Sequence, residues 1–365
     1  MQEQTLPTIP AIFTDIDGVL IHLKDPVPRS ASAIKFLKKA LEQIDPERFP
    51  GITDHLPFIG LTNAGNGTEK AKADAVSDIL SLKGEERVGG DQIIMNWTPL
   101  RPILKQYTGK LVMLGGLCDL ASLAKEFGLE KYITDEEYCS LFPELIPYRS
   151  RQEEGEEIHH LRKRISERLG MTDMKEFEEP LQIHAVFMLH DPDKWDDRIQ
   201  IICDLMSTTD GRIAKIMPEV GPAEHIPIYC THNDLLWTGE FRINRMTFGC
   251  FNEALKASYK MVYKREMNLN IYGKPCLTTF EYAKKHLSEQ TSLPVSNYYM
   301  IGDNPKSDIR GGNVAGWTTI LVKTGVFKQT EEHPNDHEDP ATYVVEDFVE
   351  AIKLIFKLEG IKCDL

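Results

Sequence analysis

Short apolar runs alternate along the chain with segments whose apolar residues recur at helical spacing. The runs predict strands and the periodic segments predict helices. Their alternation points to an α/β architecture with a largely parallel sheet. Ala11 to Phe13 is the first clear strand and leads into Thr14-Asp15-Ile16-Asp17-Gly18. Ser30 to Leu41 reads as a helix, with Ile34, Leu37 and Leu41 on one face and Ser30 as its cap. Phe58 to Leu61 is a second strand and ends at Thr62-Asn63-Ala64-Gly65-Asn66-Gly67, before a helix from Lys70 to Leu82.

The far end repeats the scheme. Leu277, Phe280, Lys284 and Leu287 line one side of a helix that follows Gly273-Lys274-Pro275. The strand Tyr298 to Ile301 runs into Gly302-Asp303, and Thr318 to Val322 ends at Lys323-Thr324-Gly325. A last helix lies near Val345 to Leu358. Between these ends lie the strand-like runs Leu111 to Leu114, Ile183 to Leu189 and Ile226 to Cys230, and the helices Leu120 to Phe127 and Arg198 to Met206. This middle piece is expected to form its own sheet and core. The expected division is therefore residues 1–67 and 271–365 as two halves of one domain, with 68–270 inserted between them. Arg149 to Glu179, dense in Glu, Arg and Lys, reads as an exposed helical excursion.

Composition narrows the function. A chain of 365 residues with 41% hydrophobic and 27% charged residues has material for more than one core. Its formal charge of −14 disfavours nucleic acid and anionic membrane surfaces as partners. The same field would repel a phosphorylated metabolite, so a phosphate site must carry its own local positive charge. The seven cysteines form no C-x-x-C element, the pattern of a reduced intracellular protein. No apolar run approaches the roughly 20 residues that span a bilayer. Met1 to Pro10 lacks Arg and Lys and contains Glu3. That pattern favours the cytoplasm, with a mitochondrial location as the alternative.

Asp15-Ile16-Asp17-Gly18 follows a buried strand directly. In α/β sheets such strand ends point into the ligand crevice. Two carboxylates at this spacing can face one point once the chain turns at Gly18. Burying both without a cation would cost several kcal/mol. Oxygen donors of this kind suit Mg²⁺, and one carboxylate can serve as a nucleophile. Alone, the motif reads equally well as a turn capping a helix. A second acidic strand end, Gly302-Asp303-Asn304-Pro305-Lys306-Ser307-Asp308, changes that. Turn chemistry does not explain two such ends, whereas adjacent parallel strands would bring them to one ion. Thr62 and Asn63 offer a hydroxyl and backbone N–H groups for phosphate oxygens, although Thr-Asn is also a common helix cap. Lys274 near a helix start can neutralise a phosphate and a nucleophilic carboxylate.

Asp-x-Asp-Gly, Thr-Asn, a distant Lys and Gly-Asp-x-x-x-x-Asp, in that order at strand ends, resemble the haloacid dehalogenase superfamily. The large insert is similar to the C2 cap of subfamily IIA. Thr98-Pro99-Leu100, His190-Asp191-Pro192, Asn233-Asp234-Leu235-Leu236-Trp237 and Tyr272-Gly273-Lys274-Pro275 resemble the cat eye syndrome critical region protein 5-like branch. The resemblance implies a Rossmann-like parallel-sheet core, a Mg²⁺ cofactor and an aspartyl-phosphate intermediate. It implies Asp15 as nucleophile and metal ligand, and Asp17 as general acid and base with its carbonyl on the metal. Thr62 and Asn63 would hold the transferring group near Gly18, Lys274 would balance charge, and Asp303 and Asp308 would serve the metal. In the cap, Asn233 and Asp234 would face the phosphate. No histidine is assigned a role, His190-Asp191-Pro192 reads as a turn, and Trp195 and Trp237 read as packing residues.

The expected activity is hydrolysis of a small phosphorylated metabolite. The alternatives are a phosphotransferase or phosphomutase with the same intermediate, or a catalytically weak metabolite-binding protein. The oligomeric state is open, a homodimer included.

Overall fold

A strand with no polar side chain before its last residue must be covered on both faces. β1 (Ile9–Thr14), all of it buried, lies in the middle of a six-stranded parallel sheet. The computed structural model describes residues 6–146, 156–171, 181–212, 226–237, 239–241 and 243–365. The other strands of this sheet are β2 (Phe58–Leu61), β3 (Ile93–Ile94), β9 (Val295–Gly302), β10 (Thr318–Val322) and β11 (Tyr343–Val345), in the order β11-β10-β9-β1-β2-β3. Alternate residues of β1 enter different cores, as the pleat requires. Ile12 packs with α1 (Ser30–Leu37) and α7 (Phe348–Glu359) through Ile34, Leu37, Ile352 and Phe356. Ala11 and Phe13 pack on the opposite face with Phe280, Ala283 and Leu287 of α6 (Leu277–Ser288), and with Trp317. Both faces are thus helix-covered, as a parallel sheet demands.

A second parallel sheet has the order β8-β7-β6-β4-β5. Its strands are β4 (Val112–Gly115), β5 (Tyr132–Thr134), β6 (Val186–Met188), β7 (Ile228–Cys230) and β8 (Asn270–Ile271). On one face Met113, Val186 and Ile228 meet Ile201, Ile202 and Leu205 of α4 (Trp195–Ser207) and Phe248 and Phe251 of α5 (Phe248–Tyr263). On the other face Val112, Leu114 and Phe187 join the cluster that includes Leu100 and Leu104. Trp97 meets Phe127 of the second unit edge-on, with ring centroids 5.0 Å apart. The expected insert therefore has one core of its own and shares another.

The boundary expected at residue 68 moves. α2 (Glu69–Ile79) and β3 belong with the first sheet, since Gly60 pairs with Ile93 and Leu61 with Ile94. The second sheet runs only from Val112 to Ile271. A two-residue strand carries no periodicity to read, which is why β3 escaped the sequence. Other elements shift by a few residues. The helix expected to reach Leu41 stops at Leu37, and a separate turn covers Leu41–Ile44. In α6, Thr279, Phe280, Ala283 and Leu287 are buried, while Leu277 is 41% exposed. Part of the charged excursion is the helix Glu156–Leu169, and its residues 149–155 and 172–179 lie outside the described residues. Trp195 packs on Phe251 as expected, whereas Trp237 is exposed. Among the described residues, no helix is long and apolar enough to cross a membrane.

Phe280 is fully buried, and its ring meets Trp317 edge-on at 5.1 Å. Removing it leaves a cavity beneath the central strand. Phe280→Ala should lower the free energy of unfolding in urea by about 3–5 kcal/mol. A loss under about 1 kcal/mol would contradict this packing.

Candidate active site

The site lies at the carboxyl ends of β1 and β9. These strands are adjacent and parallel, and their register sets Thr14 against Ile301. The first residue beyond β1 is Asp15, whose N–H donates to Ile301 O at 2.8 Å. Asp303 follows β9 directly, and Asp308 sits in the helical turn Pro305–Ile309 after it. Carboxylate oxygens of Asp15, Asp303 and Asp308 all lie within 4.8 Å of one another, and all three residues are buried.

Lys274 enters this cluster from the opposite direction. It follows Tyr272-Gly273 at the end of β8, so the last strand of the second sheet leads straight to it. Its side chain is 2% exposed, and Nζ lies 2.7 Å from both Asp15 Oδ1 and Asp308 Oδ1. Asp303 Oδ2 accepts the Val326 N–H at 2.6 Å, and Asp308 Oδ2 accepts the Asn304 N–H at 3.0 Å. Among the described residues, none donates to Asp15 Oδ2 or Asp303 Oδ1.

Glycines make the fit possible. A Cβ at Gly18, where φ is +93°, would stand 2.5 Å from Asp303 Oδ2, and one at Gly325 would stand 1.8 Å from it. Only a residue without a side chain lets the backbone close in on that carboxylate. Thr324 adds a hydroxyl bond to Gly18 O at 2.5 Å.

Electrostatics carry the same message. Burial pushes the Asp15 carboxyl up to about 6 against the pull of Lys274, and Asp308 and Asp17 add to the rise. Burial, then the charges of Asp15 and Asp308, hold Asp303 well above the usual carboxylate range. Asp308 is raised by burial, with Lys274 opposing. For Lys274, burial alone would favour the neutral amine, but Asp15 and Asp308 outweigh it and hold the ammonium above its ordinary range. Three buried carboxylates therefore face one ammonium. A divalent cation fits this donor set: hard oxygen ligands and excess negative charge.

The other expected site residues fall into place unevenly. The Asp17 carboxylate lies outside the acidic trio. Both of its oxygens meet Lys72 Nζ of α2, at 3.1 and 2.8 Å, and Thr62 Oγ1 is 3.4 Å away. Thr62 is buried, and its hydroxyl accepts the Ala64 N–H at 3.0 Å. Asn63 spends its side chain on Lys274: its Oδ1 accepts the Lys274 N–H at 2.8 Å, and its Nδ2 donates to Lys274 O at 2.9 Å. Asn63 Nδ2 also donates to Asp234 Oδ2 at 2.8 Å. Asp234, on the loop after β7, therefore reaches the site. Asn233 does not direct its side chain there, because its Oδ1 accepts a bond from Asn252 of α5.

Several neighbours went unassigned in the sequence. Lys72 is one surface-looking lysine among many in a helix. Thr324 and Gly325 end an ordinary strand. His232 lies beside Asp234, with Asp191 on the other side of its ring. Its only sequence signal is its place beside Asn233-Asp234 at a strand end.

Comparison with known proteins adds the family. A family model for haloacid dehalogenase-like hydrolases matches residues 12–130, and a second HAD-hydrolase-like model matches residues 271–351. A mitochondrial hydrolase of Saccharomyces cerevisiae is 26% identical over 365 residues, covering 94% of this chain and 94% of the yeast protein. A cardiolipin synthase (CMP-forming)/mitochondrial hydrolase fusion protein of Schizosaccharomyces pombe is 29% identical over 337 residues. That match covers 89% of this chain and 51% of the fusion protein, so the chain spans about half of that relative's length. The crystal structure of a glycerol phosphate phosphatase from Mycobacterium tuberculosis, in complex with magnesium, superposes with a TM-score of 0.55 at 14% identity. It covers 93% of this chain and 75% of that one.

A methyl group at Gly325 has no room beside Asp303. Gly325→Ala should weaken Mg²⁺ binding at least tenfold by calorimetry. Saturating Mg²⁺ should raise the unfolding midpoint of the parent protein, by the linkage that gives about 2.7 kcal/mol at a hundredfold excess over Kd. Equal affinity within twofold for the two proteins would contradict the cradle.

Proposed function

This chain belongs to the haloacid dehalogenase-like hydrolase family, and we propose that it is a Mg²⁺-dependent phosphatase of a small phosphorylated metabolite, acting through an aspartyl phosphate on Asp15. The observation that carries this reading is the buried Asp15 carboxylate, fixed through Oδ1 by Lys274 at 2.7 Å and without a donor on Oδ2 among the described residues. A carboxylate oriented in this way is a ready nucleophile.

Asp15, Asp303 and Asp308 would hold the ion, with the Asp17 backbone carbonyl as a further oxygen. When bound, Mg²⁺ supplies charge neutralisation for the phosphoryl oxygens and orients them. Asp15 Oδ2 attacks phosphorus, an O–P bond forms, and the ester P–O bond breaks. Asp17, once it has left Lys72 and taken up a proton from solvent, gives that proton to the departing alkoxide. A water then attacks phosphorus, Asp17 takes its proton, and the Asp15–P bond breaks to release inorganic phosphate. Lys274 balances the charge on Asp15 and the transferring group throughout. The Thr62 hydroxyl, 3.4 Å from Asp17, would hold the same phosphoryl oxygens. Positioning and neutralisation of this kind are the main demands of phosphoryl transfer. An acid at position 17 favours phosphate esters, since an alkoxide leaving group needs a proton.

The magnesium complex of the structurally similar glycerol phosphate phosphatase supports the choice of ion and of reaction. The names of the two yeast relatives favour a mitochondrial location over the cytoplasm. The cap segments favour the cat eye syndrome critical region protein 5-like branch.

The test is turnover of an aryl phosphate with Mg²⁺, with and without an acceptor alcohol. Asp15→Asn should lower kcat/KM by at least ~10³-fold. Lys274→Met should lose about 10²–10³-fold, and Asp17→Asn about 10²–10⁴-fold. Chelation should abolish activity and added Mg²⁺ restore it. Equal turnover by the parent protein and Asp15→Asn would overturn the proposal.

A further inference from the structure

We propose that Lys72 is a second substrate-binding lysine, which holds Asp17 in the resting site and exchanges it for a phosphoryl oxygen when a phosphate ester binds. The inference rests on the phosphatase reading above for its ligand, and its test reads binding apart from turnover.

Lys72 is the fourth residue of α2. Lys70, two positions earlier, has a side chain 80% exposed and pairs with Asp74. The Lys72 side chain is only 11% exposed and ends on both Asp17 oxygens, Oδ1 at 3.1 Å and Oδ2 at 2.8 Å. Asp17 is the more exposed partner, at 48%. A partly exposed ion pair is worth little, and ordering a lysine to make one costs side-chain entropy. The start of α2 is fixed without it. Thr68 Oγ1 accepts the Ala71 N–H at 3.2 Å, Arg101 meets Glu69 Oε1 at 2.9 Å, and Ala73 and Val76 are buried. The fold therefore does not need the Lys72–Asp17 bond to place the helix.

The bond shows what this ammonium can hold. Asp17 Oδ2 stands 2.8 Å from Lys72 Nζ and 3.4 Å from Thr62 Oγ1, so an ammonium and a hydroxyl share one anionic oxygen. In the reaction proposed above, Asp17 leaves this place to serve the alkoxide. A phosphoryl oxygen, also anionic, then meets the same two donors.

Charge balance favours the exchange. Lys274 is already shared between Asp15 and Asp308, 2.7 Å from each. A divalent ion would bring Asp15, Asp303, Asp308 and Lys274 together to neutrality. A phosphate monoester then adds a charge of about −1.5 to −2 at neutral pH and needs a cation not already committed. Lys72 is released by the same movement of Asp17 that the reaction requires, and a lysine serves phosphate as a compact point charge.

A lysine that only anchors Asp17 would make the same resting contacts. The two roles separate in Asp17→Asn, where no carboxylate competes for the ammonium. The measurement is calorimetry with inorganic phosphate at saturating Mg²⁺. In the Asp17→Asn background, Lys72→Met should weaken phosphate binding by about tenfold or more. Lys70→Met, which removes the same charge from the same helix, should change it less than twofold. Lys72→Gln should show the same loss as Lys72→Met, and replaces it if that variant does not fold. A change below twofold for the Lys72 variants in that background, an equal loss for Lys70→Met, or no binding of phosphate to Asp17→Asn would overturn the proposal. Phosphate affinity that depends on Lys72, in a protein that hydrolyses no phosphate ester, would uphold it and refute the phosphatase reading. Turnover lost in Asp15→Asn, with phosphate affinity indifferent to Lys72, would do the reverse.

Discussion

Three carboxylates buried around one ammonium are the constraint on which the rest of this structure depends. The idealised cost of taking such charges out of water is large, and the effective penalty remains several kcal/mol per ion. One lysine cannot offset three acids, and the raised carboxyl groups of Asp15, Asp303 and Asp308 express the shortfall. A divalent cation held by these residues would remove it and leave Asp15 beside the anion it attracts. The negative charge of the whole chain, −14, makes such local compensation necessary for any phosphorylated ligand.

Topology makes the constraint achievable. Parallel strands end on the same side of a sheet, so Asp15 and Asp303 meet although they are distant in sequence. The inserted sheet contributes in two ways. Its last strand delivers Lys274, and the loop after β7 delivers Asp234 to Asn63. The second unit is therefore joined to the reacting end of the first by short polar contacts as well as by a shared apolar core. Movement of that loop away from the site would disturb the backbone bonds that orient the lysine.

Much of this was legible in the sequence because the important residues sit at sharp transitions. An apolar run that ends in Asp-x-Asp-Gly or Gly-Asp is visible without knowing its partners, and parallel pairing supplies the rest. Lys274 was legible through its place between two predicted elements. What was not legible depends on contacts between distant segments. Asp17 turns to Lys72, and nothing in α2 distinguishes that lysine from its exposed neighbours Lys70 and Asp74. Asn63 spends its side chain on backbone groups of Lys274, which no spacing rule anticipates. Ile93–Ile94 is too short to announce a strand, so sequence pattern does not reveal that the first sheet extends to it. The helix Phe248–Tyr263 buries an apolar stripe, Phe248, Phe251, Leu255 and Tyr259, whose helical spacing is present in the sequence.

The central claim is that Asp15 takes the phosphoryl group. Turnover of an aryl phosphate with Mg²⁺, quenched in acid and reduced with borohydride, converts an aspartyl phosphate to homoserine, which peptide mass spectrometry locates. The account predicts homoserine at position 15, and its loss when Mg²⁺ is withheld. Trapping of the phosphoryl group on a histidine, or on a carboxylate other than Asp15, would contradict it.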